Sequence, residues 1–582
     1  MNRREFNQLL AAGAVAGILP KTSLALSNLQ PNYDIPHKGN ARLLHITDCH
    51  AQLMPIYFRE PSVNIGLHEA LGRTPHVVGE AFLKKNNFNK NSIEAHAFTY
   101  LNFNSAAREY GKVGGFAHLS TLIKSLRSSA GGNENSLLLD GGDTWQGSAT
   151  AYWTRGKDMV QAANLLGVDI MTGHWEFTYQ DDEVFANVDD FNGEFLAQNI
   201  KLTEDALFEG KRSHDEDSGH VFKPYSIREL NGHRVAVIGQ AFPYTPVANP
   251  KRFIPDWSFG IRNQDLQELV DDIKENEKPD AIILLSHNGM DVDLKLASVV
   301  TGIDFILGGH THDGVPVPIT VKNSAGKTVV TNAGSNGKFV GVLDLNLEKG
   351  KVKGYEYRLL PVFSNFIKAD PEMATLIETI RKPHLETLNE ELTVTESLLY
   401  RRGNFNGTFD QLICDALRHE LNAEISLSPG FRWGTTVLPG QAITFEHVMD
   451  QTCITYPETY ARDMLGNEIK AILEDVADNL FHPDPFYQQG GDMVRVGGMN
   501  YICDPTASAG NRISNMTLDS GKTIDANKTY KVAGWATVGS KAPGKPIWEV
   551  VASYLRNKDT VNISKINSPI LKNIENNPGI IL

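Results

Sequence analysis

Short apolar runs between Arg42 and Asn332 constrain the fold of this chain more than any other feature. Each run is about five residues long and is bounded by Gly, Asp or His, a pattern typical of strands that are buried on both faces. Helical patterns separate several of the runs, and Phe116–Leu126 is one amphipathic crossover. The sequence therefore predicts βαβ units in an α/β domain. The predicted strands are Arg42–Thr47, Ser136–Asp140, Val168–Thr172, Arg234–Gly239, Ala281–Ser286, Asp304–Gly308 and Thr328–Asn332.

Polar motifs follow five of these strands directly. Because sites in open α/β sheets lie at the carboxyl ends of strands, we expect the five loops to converge on one edge. A mixture of imidazoles and carboxylates suits a pair of borderline-hard cations such as Mn²⁺ or Zn²⁺. Any one motif is more often a turn or a cap, whereas five in order predict a metal centre. The motifs are Asp48-Cys49-His50, Gly141-Gly142-Asp143, Gly173-His174-Trp175-Glu176, His287-Asn288-Gly289 and Gly309-His310-Thr311-His312.

The spacing within the motifs carries further expectations. In Asp-x-His and His-x-His, extended backbone would point the two outer side chains the same way, toward one metal or two adjacent metals. The glycines would let backbone approach the metal centre closely. Glu176 is a possible ligand, but we favour a role in orienting an imidazole.

These motifs, together with Gln488-Gln489-Gly490-Gly491-Asp492, resemble those of the calcineurin-like metallophosphoesterases of the 5′-nucleotidase type. The resemblance spans nearly the whole mature chain. It implies an α/β fold, with a four-layer αββα metal domain followed by a C-terminal α+β substrate domain, and two divalent metals, with Mn²⁺ favoured over Zn²⁺. It also implies two ligand sets that share Asp143 as a bridge, namely Asp48, His50, Asp143 and His312, and Asp143, His174, His287 and His310.

The third motif departs from the family pattern Gly-Asn-His-Glu-Phe-Asp. His174 stands where an Asn binds metal, while Trp175 and Thr178 replace the catalytic His–Asp pair. This version is similar to the SoxB branch, the thiosulfohydrolases of the sulfur-oxidising Sox system, as are the segments 428–434 and 487–495. Gln180 replaces the Gly expected after Tyr179, a departure that concerns the turn of this loop and not the ligands.

The SoxB resemblance implies hydrolysis of a cysteine-bound thiosulfonate on the carrier protein SoxYZ, with release of sulfate. A persulfide leaving group is stable as an anion, so a general acid would be dispensable and Trp175 would be tolerated in its place. Arg432 and Arg495 are candidate sulfonate ligands because guanidinium forks match oxyanions, the alternative for each being a structural salt bridge. Tyr487 and Trp175 either line a narrow channel or belong to the core. Asp492 is expected to hold the domain interface or orient Arg432.

Two other functions stay open at this point. A periplasmic 5′-nucleotidase or related phosphoesterase would keep the metals and change the substrate, and a metal-holding binding protein would lack turnover. The 55 basic and 69 acidic side chains give a formal net charge of −14, which argues against a general nucleic-acid binder. No apolar run reaches the length of a membrane-spanning helix.

The N-terminus has the pattern of a twin-arginine export signal over residues 1–27. Arg3 and Arg4 precede the apolar run Leu9–Leu19, and small residues near Ala25–Ser27 suit cleavage. The expected destination is the periplasm, which the protein would reach already folded.

The remaining chain is predicted to divide into a metal domain over 39–365, a linker helix over 366–392 and a C-terminal domain over 393–575. Asp370 and the following Pro suit the first positions of the linker helix, and Pro383 should kink or break it. We expect no disulfide, because Cys49 lies in a ligand motif and Cys414 on the predicted helix Phe409–Leu421.

Overall fold

A computed structural model describes residues 31–539 and 541–580, so the predicted export signal lies outside the described residues. Two six-stranded sheets form the centre of the N-terminal part, and the last of their strands ends at Pro361. The first sheet has the order Lys351–Pro361, Phe339–Glu348, Ala41–Ile46, Ser136–Asp140, Ile170–Met171 and Glu194–Phe195. The second has the order Ile319–Asn323, Gly326–Asn332, Phe305–Gly308, Ala281–Ser286, His233–Gln240 and Tyr225–Leu230.

The strands that precede the motifs pair in parallel, as the sequence predicted. Ala41–Ile46 pairs with Ser136–Asp140, and Ala281–Ser286 pairs with Phe305–Gly308. The predicted run at 168–172 contributes only Ile170–Met171 to its sheet. Antiparallel edge strands such as Lys351–Pro361 were not predicted, because partly exposed edges lack the continuous apolar runs of central strands.

The two sheets and their helices form four layers, which confirms the predicted αββα arrangement. Because side chains alternate along a strand, Leu43 faces the space between the sheets and Leu44 faces the outer helices. Helices Phe116–Ser129, Lys157–Leu166 and Pro371–Arg381 cover the first sheet, and Asn263–Asp272 and Met290–Val299 cover the second. Shorter helices of this part are Ala149–Thr154, Asp181–Asp190, Glu204–Phe208 and Thr245–Ala248, and Lys201–Leu202 pairs with Trp257–Ser258.

The linker has the predicted N-cap and the predicted break near Pro383, but its main helix covers only Pro371–Arg381 of the predicted 366–392. The carboxylate of Asp370 accepts the N–H of Met373 at 3.0 Å, and Pro371 occupies the first turn. The helix stops at Arg381, and Pro383 lies in the 3₁₀ turn Lys382–His384 that follows. One further short helix, Leu385–Leu388, leads to the C-terminal part.

The C-terminal part, from Glu391 onward, is a mixed α+β unit, as predicted. Its helices include Thr408–Glu420, which confirms the helix predicted around Cys414 to within one residue. Cys49, Cys414, Cys453 and Cys503 are buried free thiols. The other helices are Phe445–Thr452, Gly466–Phe481 and Ile547–Arg556, and the strands are Glu391–Thr395, Ile425–Ser428, Ala442–Thr444, Thr459–Leu465, Arg495–Gly497, Met499–Cys503, Ile513–Leu518, Thr529–Trp535, Thr560–Val561 and Ile570–Leu571.

The long segment Tyr57–Tyr110, which follows the first ligand motif, packs onto both the N-terminal and the C-terminal part of the chain. Tyr57 pairs with Thr436 of the C-terminal part, and Glu60 accepts a hydrogen bond from the buried ammonium of Lys338 at 2.6 Å. Among the described residues, no helix combines the length and apolar character needed to cross a bilayer. The helices of this segment are Gly79–Asn86, Ile93–Phe98 and Phe103–Tyr110.

Candidate metal centre

The five motif loops meet around the carboxylate of Asp143. Its Oδ2 lies 3.2 Å from Nδ1 of His174, 3.1 Å from Nε2 of His287 and 3.7 Å from Nε2 of His50. Side-chain donor atoms form two groups, and within each group they all lie within 4.8 Å of one another. All the members are buried. The groups are Asp48, His50, Asp143 and His312, and Asp143, His174, His287 and His310, the two sets that the family resemblance implies.

The chemistry of these side chains fits a pair of divalent cations. Nε2 of His174 and both ring nitrogens of His310 are buried and have no hydrogen-bond partner among the described residues. Nε2 of His50 faces Nε2 of His312 at 3.0 Å. Burial lowers the pKa of His50 to about 4, so the ring is neutral, and neutral imidazole is the metal-binding form.

The orientation of His287 is set by backbone. Its Nδ1 donates a hydrogen bond to the carbonyl of Gly141 at 2.6 Å, which leaves Nε2 directed toward Asp143. Burial lowers the pKa of His287, but the carboxylates of Asp143 and Asp48 outweigh burial and raise it to about 10. The carboxylates therefore make this centre strongly attractive to positive charge.

The backbone at five of the seven candidate ligands is left-handed, contrary to the extended geometry predicted for Asp-x-His and His-x-His. Asp48 and His50 have φ of 52° and 46°, Asp143 has 58°, and His310 and His312 have 70° and 58°. Non-glycine residues adopt such values rarely, and strain of this kind concentrates at functional sites. Tight turns, and not strand periodicity, therefore bring each pair of ligands to the centre.

Glycines allow the ligand loops to approach one another. Gly142 has φ of 92°, and a Cβ there would lie 2.9 Å from Cα of Gly173 in the next loop. A Cβ at Gly309 would lie 3.0 Å from Oδ2 of Asp48 and 3.0 Å from Nδ1 of His287. The predicted close approach of backbone thus occurs against neighbouring loops and ligand side chains.

Glu176 binds backbone and no imidazole, which corrects the predicted role. Its carboxylate accepts the N–H groups of Thr144 at 2.7 Å, His174 at 2.8 Å, Trp145 at 3.1 Å and Asp143 at 3.2 Å. Burial raises the pKa of Glu176, and these bonds offset part of that effect. Glu176 therefore joins the second and third ligand loops.

The turn after the third motif is kept despite the absence of glycine. Gln180 has φ of 72°, a value that glycine adopts more readily, and it leads into the helix Asp181–Asp190. Gln180 therefore holds this turn in a left-handed conformation that costs more strain than glycine would.

Trp175, Phe431 and Trp433 form an aromatic wall, and Trp175 stands at the position of the His in the family pattern Gly-Asn-His-Glu-Phe-Asp. The ring of Trp175 packs edge-on against Phe431 and Trp433, with centroids 5.5 and 5.3 Å away. Thr178 forms no part of this wall, and its hydroxyl lies 2.5 Å from the hydroxyl of Thr455. Trp175 lines a cleft of about 450 Å³ that also reaches His50, Asp143, His174, His310 and His312.

Arg432 lies in this cleft, and Asp492 accompanies it. Nε of Arg432 is 3.5 Å from Oδ1 of Asp492, and its Nη2 donates to the carbonyl of Gly491 at 2.8 Å. Burial raises the pKa of Asp492, but Arg432, Arg495 and Arg402 outweigh it and hold the pKa below its ordinary value. Asp492 is therefore an anion that fixes Arg432, as its sequence context suggested.

Arg495 and Tyr487 lie outside the cleft lining, so neither is placed to contact a substrate there. Arg495 is fully buried, and its guanidinium lies 3.1 Å from Asp492 and 3.4 Å from Asp410. Arg495 therefore forms a structural salt bridge, the alternative to sulfonate binding. Tyr487 is 61% exposed, and its ring packs against His482.

One residue that sequence reasoning missed is Phe242. Its ring stacks on His310 with centroids 4.1 Å apart and lines the cleft. It follows the strand His233–Gln240 just as the polar motifs follow theirs. Its position after a strand indicates a site residue, but its apolar side chain cannot bind a metal and so gave no signal in the sequence.

Comparisons with known proteins agree with this geometry. The family described as the 5′-nucleotidase C-terminal domain matches residues 391–549. The solved structure of the sulfate thiohydrolase SoxB from Thermus thermophilus shares 37% identity with this chain, at a TM-score of 0.85. The similarity covers 93% of this chain and 98% of that one. The chain belongs to the SoxB family.

More distant relatives include nucleotide phosphoesterases and 5′-nucleotidases. The trifunctional nucleotide phosphoesterase YfkN of Bacillus subtilis is 27% identical over 74% of this chain, which spans only 31% of that longer protein. The 5′-nucleotidase precursor of Thermus thermophilus shares the fold, with 21% identity, a TM-score of 0.71 and coverage of 92% of this chain and 99% of that one. With its buried His and Asp groups, this SoxB-family chain is a metal-dependent hydrolase.

Proposed function

We propose that this protein hydrolyses a cysteine-bound thiosulfonate on the carrier protein SoxYZ and releases sulfate. The observation that carries the proposal is the aromatic wall of Trp175, Phe431 and Trp433 beside the ligand groups, where a phosphatase of this family has its acid. The name of the Thermus thermophilus relative supports the same chemistry. Mn²⁺ is the proposed metal, with Zn²⁺ as the alternative.

The reaction balances without an added proton donor. Water attacks the sulfonate sulfur, the bond between that sulfur and the terminal sulfane sulfur breaks, and the electron pair leaves with the persulfide. The products are the carrier persulfide anion, sulfate and two protons. Two bound divalent metals would acidify the attacking water and neutralise charge on the oxyanion. The persulfide is stable as an anion, so the leaving group needs no acid.

The side chains around the cleft suit a reaction that needs a group to bind the sulfonate but no acid for the leaving group. Arg432 offers a guanidinium to the sulfonate oxygens and is held by Asp492. Asp492 is itself an anion and has no proton to give. Trp175 and its aromatic neighbours line the side of the cleft where an alkoxide would otherwise be protonated, and none of these rings is an acid for a leaving group.

A nucleotide is a poorer match for the same wall. Phe431 stacks on Trp433 with centroids 4.1 Å apart and an angle of 19° between the rings. A nucleobase between two rings requires about twice the spacing of one stacked pair. The two rings therefore contact each other directly and leave no space for a nucleobase between them.

Location and domain limits belong to the same proposal. The protein would reach the periplasm by the twin-arginine route after loss of residues 1–27. The metal domain would span 39–365, the linker helix 366–392 and the substrate domain 393–575. The cleft draws its lining from both sides of the linker, which supports this division.

Activity assays on three substrates test the proposal. The metal-loaded protein is given a carrier-bound thiosulfonate, AMP and a UDP-sugar in parallel, with sulfate and phosphate release followed separately. We expect rapid sulfate release and slow phosphate release. Rapid AMP or UDP-sugar hydrolysis with no sulfate release would instead establish a phosphoesterase. No turnover of any substrate by protein with both metals bound would indicate a binding protein.

A further inference from the structure

The loop that carries His310 and His312 is held by an arginine from the C-terminal part. Nη2 of Arg402 donates to the carbonyl of Thr311 at 3.0 Å and lies 3.4 Å from the carbonyl of His312. Arg402 is 7% exposed and follows the strand Glu391–Thr395. A residue far along the chain therefore contacts the backbone between two candidate metal ligands.

These carbonyls have few other donors. Among the described residues, Arg402 donates to Thr311 and His312, and Arg432 approaches the carbonyl of His310 only at 3.5 Å, the limit of a hydrogen bond. A buried carbonyl without a partner is costly, so the loop depends on Arg402 for two of its acceptors.

The loop needs such support because its backbone is strained. His310 and His312 both have left-handed φ values, which persist only where the surroundings fix them. On the N-terminal side, the amide of His310 donates to the carboxylate of Asp48 at 3.0 Å. Asp48 fixes the start of the loop, and Arg402 fixes its middle and end.

Gly490 of the C-terminal part packs closely against the same loop. Gly490 has φ of 79°, and a Cβ there would lie 2.1 Å from Nε2 of His310. His310 thus lies between Phe242, which stacks on one face, and the Gly490 backbone. The C-terminal part shapes the centre itself as well as its cleft.

We propose that Arg402 is a positioning residue for the metal centre. By fixing the carbonyls of Thr311 and His312, it sets the directions of His310 and His312, which belong to different ligand groups. Loss of Arg402 should weaken both cation sites. The inference rests on the two-metal interpretation alone and is independent of the thiosulfonate substrate.

Metal titration of matched variants tests this role. Metal-free full-length protein carrying Arg402→Met is titrated with Mn²⁺, and free Mn²⁺ is followed by electron paramagnetic resonance. The matched control is Arg401→Met, because Arg401 is equally buried but pairs with Asp410 at 2.7 Å and does not touch the loop. Thermal unfolding of the metal-free variants measures any general loss of stability.

We expect the Mn²⁺ dissociation constant to rise about 10- to 100-fold in Arg402→Met, the usual effect of removing a group that orients ligands. Arg402→Lys, which keeps a donor, should recover much of the affinity. Arg401→Met should bind Mn²⁺ like the native chain even if it unfolds earlier.

Two outcomes would overturn the proposal. Unchanged or tighter Mn²⁺ binding in Arg402→Met would mean that removal of a nearby positive charge outweighs any positioning. Equal losses of affinity in Arg401→Met and Arg402→Met would assign both arginines to general stability. Neither outcome bears on whether the protein releases sulfate.

Discussion

The indole rings of Trp175 and Trp433 meet edge to face, with centroids 5.3 Å apart and planes at 76°. Trp175 follows the candidate metal ligand His174, and Trp433 follows Arg432 in the C-terminal part. One aromatic contact therefore joins the ligand loop to the opposite wall of the cleft, at the position of the His in the family pattern Gly-Asn-His-Glu-Phe-Asp.

Restoring the family's acid should create phosphatase activity. The double change Trp175→His with Thr178→Asp places an imidazole beside the centre and a carboxylate behind it. Because a general acid contributes about 10²–10⁴-fold, AMP hydrolysis should rise from a slow baseline toward that range. Steady-state phosphate release measures the gain.

Leaving-group dependence separates this explanation from a simple gain of space. Alkyl phosphate esters should respond to the double change more than aryl esters, whose leaving groups need less protonation. Trp175→Phe, which enlarges the cleft without adding an acid, should gain nothing on either. Fast AMP hydrolysis by the native protein would contradict the role given to the tryptophan.

Asp143→Ala should lose metal and activity together, because Asp143 belongs to both ligand groups. Elemental analysis of the purified variant should show well under two metals per chain. Asp140→Asn is a matched control, since burial raises the pKa of Asp140 to about 8 and an amide resembles its neutral form. Full dimetal content in Asp143→Ala would refute the bridge.

Arg432→Gln should slow turnover while the metals remain bound. A hydrogen bond to a charged group contributes about 1.5–3 kcal/mol, so kcat/KM on the carrier substrate should fall about 10- to 100-fold. Arg402 still supports the His312 loop in this variant, so Mn²⁺ content should stay near native. Native kinetics in Arg432→Gln would remove this arginine from the substrate site.

Asp370→Ala should loosen the start of the linker helix. Loss of an N-cap costs about 1 kcal/mol, so amide hydrogen exchange in the first turn should quicken about fivefold. Asp370→Asn keeps the cap and loses the ion pair with Lys124, so it should accelerate exchange clearly less than Asp370→Ala. Equal acceleration in both variants would assign the effect to the ion pair.

The same carboxylate gives a pH dependence of defined sign. Burial raises the pKa of Asp370, but its bonds to Lys124 and the Met373 amide outweigh burial and leave the pKa below its ordinary value. Its charge therefore stabilises the fold fully above the unfolded pKa of about 3.9. The stabilisation should disappear as the pH falls through the lower folded pKa, and exchange measured at decreasing pH checks this.

Strand periodicity and strand-end position predicted much of this protein. The buried runs around Leu43, Leu139 and Leu285 identified central strands because strands covered on both faces need continuous apolar sequence. The rule that sites lie at the carboxyl ends of strands then placed Asp48, Asp143 and the four later histidines in one centre, although their loops follow strands of two sheets and not of one sheet as we expected. Edge strands such as Lys351–Pro361 were missed because half-exposed strands lack that signal.

The sequence by itself determined which residues gather at the centre, because metal-ligand side chains directly follow five buried parallel strands and sites form at the carboxyl ends of such strands. Tertiary structure alone decided how they gather. Left-handed turns at His50 and His310 direct the ligands to the centre. Arg495 is buried between Asp410 and Asp492, and Arg402 contacts the His312 loop from far along the chain. Such contacts depend on packing between layers and parts, and no local pattern encodes that packing.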